Sequence, residues 1–82
     1  MLSKQPAWIK KLMSLGLSYR EIQKLALRTS AMTNAQFIAF ESDQEHPGVG
    51  EIIAVFRRQI DKNILEYTKF LLDADEELAQ QF

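Results

Sequence analysis

The sequence predicts an all-α fold, a small bundle of four or five helices in one domain spanning residues 1–82, on three observations. Apolar residues recur at steps of three and four, the spacing that places them on one buried helical stripe. Residues with side-chain oxygens stand where helices would start. From Glu51 to Gln80 there is neither proline nor glycine.

The first helix is expected from Pro6 to Ser14. Proline is tolerated in a first turn, Ala7, Trp8, Ile9, Leu12 and Met13 form the apolar stripe, and Gly16 supplies the stop. Ser18 with Glu21 three residues later reads as a capping box, in which each side chain binds the other's backbone N–H. Ile22, Leu25 and Ala26 mark the buried face of the helix that follows, of about nine to ten residues. A third helix can start at Thr29-Ser30 or at Thr33-Asn34, with Phe37, Ile38 and Phe40 as its packing residues. The polar run from Glu41 to Gly50, with His46-Pro47-Gly48, is the one clear loop.

Beyond the loop Ile53, Phe56, Ile60, Ile64, Tyr67, Leu71, Ala74 and Leu78 follow one another at helical steps. Residues 51–80 therefore predict one long helix, or two if Asp73 with Glu76 caps a separate terminal piece. Unbroken, it would reach about 45 Å at about 1.5 Å per residue, longer than the body of so small a domain, so part of it needs something else to pack on. The chain thus divides into a helical head (1–40), a loop (41–50) and a long C-terminal helix (51–82).

An apolar fraction of 46% with 26% charged residues excludes a disordered or membrane-embedded chain. There is no cysteine, so neither a disulfide framework nor a thiolate metal site is available, which fits a reducing compartment. No continuous apolar run reaches signal-peptide or transmembrane length, and a cytoplasmic location without membrane contact is expected. The net charge of −1 hides an asymmetry. Residues 1–39 carry Lys4, Lys10, Lys11, Arg20, Lys24 and Arg28 against Glu21 alone, whereas residues 40–82 carry ten acids against Arg57, Arg58, Lys62 and Lys69. A basic head and an acidic remainder are therefore expected.

Catalysis is not expected. His46 is the only histidine, and Ser18 and Ser30 are better explained as helix-start residues than as nucleophiles. A metal site built from His46 with Glu41, Asp43, Glu45 or Glu51 matches no helical ligand spacing, and a solvated acidic loop explains the segment better. Gly48-Val49-Gly50 is too short for a phosphate-cradling loop. No cofactor is expected.

Residues 9–33, and within them Leu15-Gly16-Leu17-Ser18-Tyr19-Arg20-Glu21-Ile22-Gln23-Lys24-Leu25, resemble helix-turn-helix regulators and recombinases. The resemblance implies a first motif helix crossing the DNA backbone and a second in the major groove, the latter starting near Thr29-Ser30. It implies phosphate contacts from Lys10, Lys11, Arg20, Lys24 and Arg28, and Ser30, Ala31, Thr33, Asn34 and Gln36 facing base edges. Gln23 stands where the family usually has a small residue, Leu27 where it has the turn glycine, and no cation occurs between Arg28 and Arg57. A shorter stretch, Phe40-Glu41, Glu45-His46-Pro47 and Glu51-Ile52-Ile53, is similar to the Glu-His-Pro region of immunity proteins that inhibit nuclease colicins, with Ala54 and Val55 in place of their tyrosines.

Two functional expectations follow. One is a small transcriptional regulator binding double-stranded DNA as a homodimer, paired through Ile60, Ile64, Tyr67, Leu71 and Leu78 on the C-terminal helix, a stripe whose spacing is equally that of the intramolecular core of a bundle. The other is a non-enzymatic adaptor or inhibitor that meets a basic protein partner through the acidic loop and that helix. Trp8, Phe56, Phe70 and Phe82 are expected in the core or an interface rather than as a stacking platform for bases.

Overall fold

Each helix boundary has a local cause. The structure, a computed structural model, describes residues 6–41 and 48–80. Among these residues lie five helices and no strand: α1 (Ala7–Ser14), α2 (Tyr19–Ser30), α3 (Asn34–Glu41), α4 (Val49–Lys62) and α5 (Ile64–Ala79). Pro6 stands just before α1, its carbonyl accepting from the N–H groups of Ile9 and Lys10. The helix stops as expected. Gly16 takes a φ of +103°, which only glycine adopts without strain, and its N–H and that of Leu17 return to the carbonyls of Met13 and Leu12.

The capping box at the start of α2 forms as the sequence predicts. The Glu21 N–H donates to Ser18 Oγ at 3.1 Å and the Ser18 N–H donates to Glu21 Oε1 at 2.8 Å. These bonds, first of all the one from the Ser18 backbone, hold the Glu21 carboxyl below its ordinary pKa. At 12 residues α2 outruns expectation, passing through Thr29 and Ser30. Their hydroxyls fold back onto carbonyls of the preceding turn, Thr29 to Leu25 and Ala26, Ser30 to Leu27, so neither caps a new helix. Of the two candidate starts for α3 the second is used. Thr33 and Gln36 build another reciprocal box, with N–H to side-chain distances of 2.9 and 3.2 Å.

Two boundaries correct the sequence reading. The loop ends earlier than Gly50: Gly48, at φ +93°, precedes α4, and Gly50 is helical. The long helix over residues 51–80 does not form, and the break lies at Asn63 rather than Asp73, which sits inside α5. Asn63 leaves helical geometry (φ −157°, ψ 86°), its Oδ1 accepts the Glu66 N–H at 3.1 Å, and its Nδ2 donates to the Glu66 carboxylate at 3.4 Å. A cap of this kind stabilises a helix start by about 1 kcal/mol. The break also solves the length problem, because the body measures 37 × 26 × 25 Å and an unbroken helix of about 45 Å would overrun it.

With the chain turned at Asn63, α5 packs on α2 and α4, and α1 packs on the same two helices, so the four close a ring in the order α1, α2, α5, α4. α3 packs against α4 outside that ring. Ile9, Leu12, Ile22, Ala26, Ile53 and Phe56 are fully buried inside it. Trp8 reaches across the ring, its centroid 4.9 Å from Phe70, 5.6 Å from Tyr67 and 6.1 Å from Phe56. The pairs with Phe70 and Phe56 are edge-on, and such pairs add about 0.5–1.5 kcal/mol each beyond the area they bury. Trp8, Phe56 and Phe70 are thus packing residues as expected, and Phe82 lies outside the described residues. In α3 Phe37 and Phe40 pack on the core, but Ile38 is 57% exposed, against the expectation that it too would pack.

Candidate interaction surfaces

On α2 the buried residues are Ile22, Gln23, Ala26 and Thr29. The opposite face carries Arg20, Lys24 and Arg28, all exposed and four residues apart, or about 6 Å of helical rise between neighbours. Arg28 has a partner already: its guanidinium lies 5.2 Å from the centre of the Phe40 ring. Lys10 is exposed on the outward side of α1, but Lys11 is on the flank facing α4, where it shares a concavity with Arg58 and Lys62. The expected single basic strip is therefore divided between two seams.

Of the residues expected to face base edges, most have structural tasks. The Ser30 hydroxyl donates to the Leu27 carbonyl at 2.7 Å, and the side chains of Thr33 and Gln36 are engaged with each other's backbone N–H. Asn34 and Ala31 are exposed, Asn34 at the first turn of α3. Gln23 departs from the helix-turn-helix pattern for a visible reason. It is 4% exposed and its amide crosses to α5, donating to the Glu77 carboxylate.

The expectation of a basic end and an acidic end is overturned. Tyr19 lies near Glu77 and Asp73, and Thr29 near Tyr67, so α2 and α5 run antiparallel. This brings the acidic half of α5 beside the first turn of the helix that carries Arg20, Lys24 and Arg28. The Tyr19 phenol is pushed above its ordinary pKa by burial, then by the carboxylates of Glu77 and Asp73. Opposite charges are interleaved between neighbouring helices, because the hairpin at Asn63 folds α5 back along the bundle.

The expected dimer seam is also corrected. Tyr67 is 3% exposed at the centre of the aromatic cluster, Ile60 and Leu71 pack against the core, and Leu78 is half-buried. Among those five residues only Ile64, 53% exposed, is open to solvent. The stripe expected to pair two chains is thus mostly the intramolecular core. A second stripe, absent from the sequence-based expectation, lies beside it: Leu65 and Leu72 are 80% and 67% exposed and stand seven residues apart, with Ala79 one heptad further. Lys69 and Glu76 share that face at the same spacing. The sequence does carry its signal, since Ile64-Leu65 and Leu71-Leu72 are adjacent apolar pairs and a helix cannot bury both members against one neighbour.

His46, Asp43 and Glu45 lie outside the described residues, and so does the Glu-His-Pro part of the likeness to immunity proteins. No helix of the described residues is long and apolar enough to cross a membrane. Comparison of the chain with protein-family models, with curated proteins and with solved structures finds no match.

Proposed function

We propose that the chain is a non-catalytic protein-interaction module that pairs with a second copy of itself through the outward face of α5. The observation that carries this is the exposure of Leu65 and Leu72, one heptad apart on the side of α5 away from the core. Removing a leucine of this exposure from water is worth about 1.5–3 kcal/mol, and a two-fold pair gathers each residue twice.

Charge selects the occupant and the direction. In a parallel pair the Lys69 side chains would approach each other, as would those of Glu76. In an antiparallel pair centred near Leu72, Lys69 of one copy meets Glu76 of the other and Leu65 meets Ala79. The face is self-complementary in that arrangement.

Sedimentation equilibrium tests the reading. The mass should move from the chain's 9.5 kDa toward twice that value as concentration rises through the micromolar range. Leu65→Glu with Leu72→Glu should hold it at the monomer mass without loss of helix signal. Lys69→Glu should weaken pairing, and adding Glu76→Lys should restore it. A monomeric wild type at hundreds of micromolar, or a double leucine variant that still pairs, rejects the proposal.

A second reading, the helix-turn-helix regulator of double-stranded DNA, is favoured by the outward row of Arg20, Lys24 and Arg28 on α2. It expects binding of random duplex DNA at low salt that weakens steeply as salt is added. Arg20→Glu with Lys24→Glu should lower the slope of log affinity against log salt by about 0.9 for each phosphate no longer neutralised. Absent or salt-insensitive binding rejects it.

A further inference from the structure

The concavity between α1 and α4 holds about 440 Å³, the volume of roughly fifteen water molecules and within the range of small-molecule sites. Its chemistry is divided. Pro6, Ala7, Trp8 and Val55 supply an apolar wall, of which Trp8 and Val55 are buried. Lys11 from α1 and Arg58 and Lys62 from α4 stand at the exposed rim, facing one carboxylate, Glu66, which is already engaged with the Asn63 cap. The lining therefore carries three cations against one anion.

Gln59 makes the concavity more than a dent between helices. It is only 7% exposed and lines the cavity, yet among the described residues its amide has no hydrogen-bond partner. Nor is the amide sealed from solvent, since among the described residues the one buried polar side-chain atom without a partner is Trp8 Nε1. The amide is thus unbonded within the described residues yet open to solvent, and the residue that carries it lines the cavity. Such a group forfeits hydrogen bonds unless water or a ligand supplies them. The positions are regular: Val55, Arg58, Gln59 and Lys62 are one face of α4, at steps of three, one and three residues.

We infer that this cavity binds a small amphipathic organic anion, with its apolar body against Trp8 and Val55, its carboxylate or phosphate head between Lys11, Arg58 and Lys62, and a polar atom on the Gln59 amide. Arginine favours such a head because its planar fork can bind two oxygens at once. Neither a neutral molecule of the same shape nor a bare inorganic anion satisfies both halves of the site. The inference does not depend on pairing through α5: the lining takes Glu66 and the Asn63 cap from that end of the chain but none of Leu65, Lys69, Leu72 or Glu76.

Trp8 is the only tryptophan, so its fluorescence reports the site directly. The full chain is titrated with octanoate, phenyl phosphate, octanol and inorganic phosphate. Saturable change is expected below millimolar concentration with at least one of the two amphipathic anions, and at least tenfold weaker response to octanol and to inorganic phosphate. Arg58→Glu with Lys62→Glu, both at exposed positions, should weaken binding at least tenfold with an unchanged helix signal. Arg20→Glu on α2 should leave it unaltered, as should Leu72→Glu, which disrupts the centre of the pairing face and adds no charge beside the lining residue Glu66, and this separates failure of this site from failure of pairing. No saturable response to either anion, equal affinity for octanol, or full binding by the Arg58→Glu, Lys62→Glu variant overturns the inference.

Discussion

Replacing Phe56 with alanine is expected to cost about 3–5 kcal/mol and to leave little folded protein at 37 °C. Phe56 is fully buried, edge-on to both Trp8 and Tyr67, and borne on α4, which packs on α1, α3 and α5. The ring it fills is closed by four helices, and no single one can move into the gap without leaving another. A domain of this length has a total stability of about 4–12 kcal/mol, so the loss takes from about a quarter of the margin to all of it. Thermal melts followed by circular dichroism should fall by roughly 15–30 °C. Ile53→Val, one turn away in the same core, should cost only about 1 kcal/mol. Trp8→Phe should be nearly as mild despite the larger volume removed, because Trp8 Nε1 is buried without an acceptor among the described residues, and removing an unmet donor offsets part of the lost packing. Equal losses for Phe56→Ala and Ile53→Val would mean that the aromatic cluster is not the centre of the fold. All three should be compared at one protein concentration, since a chain that pairs through α5 melts higher when more concentrated.

The elements are legible in the sequence where a local rule acts alone. Pro6, Gly16 and the Ser18–Glu21 box set the ends of α1 and the start of α2, as their spacing predicts. Asn63 obeys the same rule, an amide oxygen three residues before a glutamate, but the apolar stripe continues through it and hides the break. Periodicity reports which face is buried but not whether the axis bends, so a stripe shared by α4 and α5 reads as one helix. The bend decides the surfaces. Once the chain turns back at Asn63, Tyr67 lies against Trp8 of α1 and near Thr29 of α2, Leu71 packs on the core, and the apolar excess of α5 shifts to Leu65 and Leu72. Charge is less legible still. Summing signs along the chain separates bases from acids, but antiparallel packing of α2 on α5 puts Tyr19 and Gln23 beside Asp73 and Glu77. The cavity cations Arg58 and Lys62 are hidden for a related reason: nothing local joins them to Lys11, forty-seven and fifty-one positions away in the numbering.

Between pH 10 and 12 the chain is expected to lose on the order of 2 kcal/mol of stability through one side chain. Burial among Trp8 and Phe56 pushes the Tyr67 phenol from 10.0 up to about 12, with the Thr29 hydroxyl pulling modestly the other way. In that window the unfolded chain gives up the phenol proton while the folded chain keeps it. The folded state then binds more protons, so stability falls as pH rises. The contribution is fully present below about pH 10 and exhausted above about 12. Every other ionisable group is common to the wild type and the Tyr67→Phe variant, so the difference between the two proteins isolates the phenol. At pH 9 the variant should match the wild type or be slightly less stable; by pH 12 it should be the more stable of the two, with the urea midpoints crossing between. The same measurement decides where Tyr67 resides. A phenol on an open seam would ionise alike in both states and give parallel curves, so the crossing is the signature of a tyrosine held in the core.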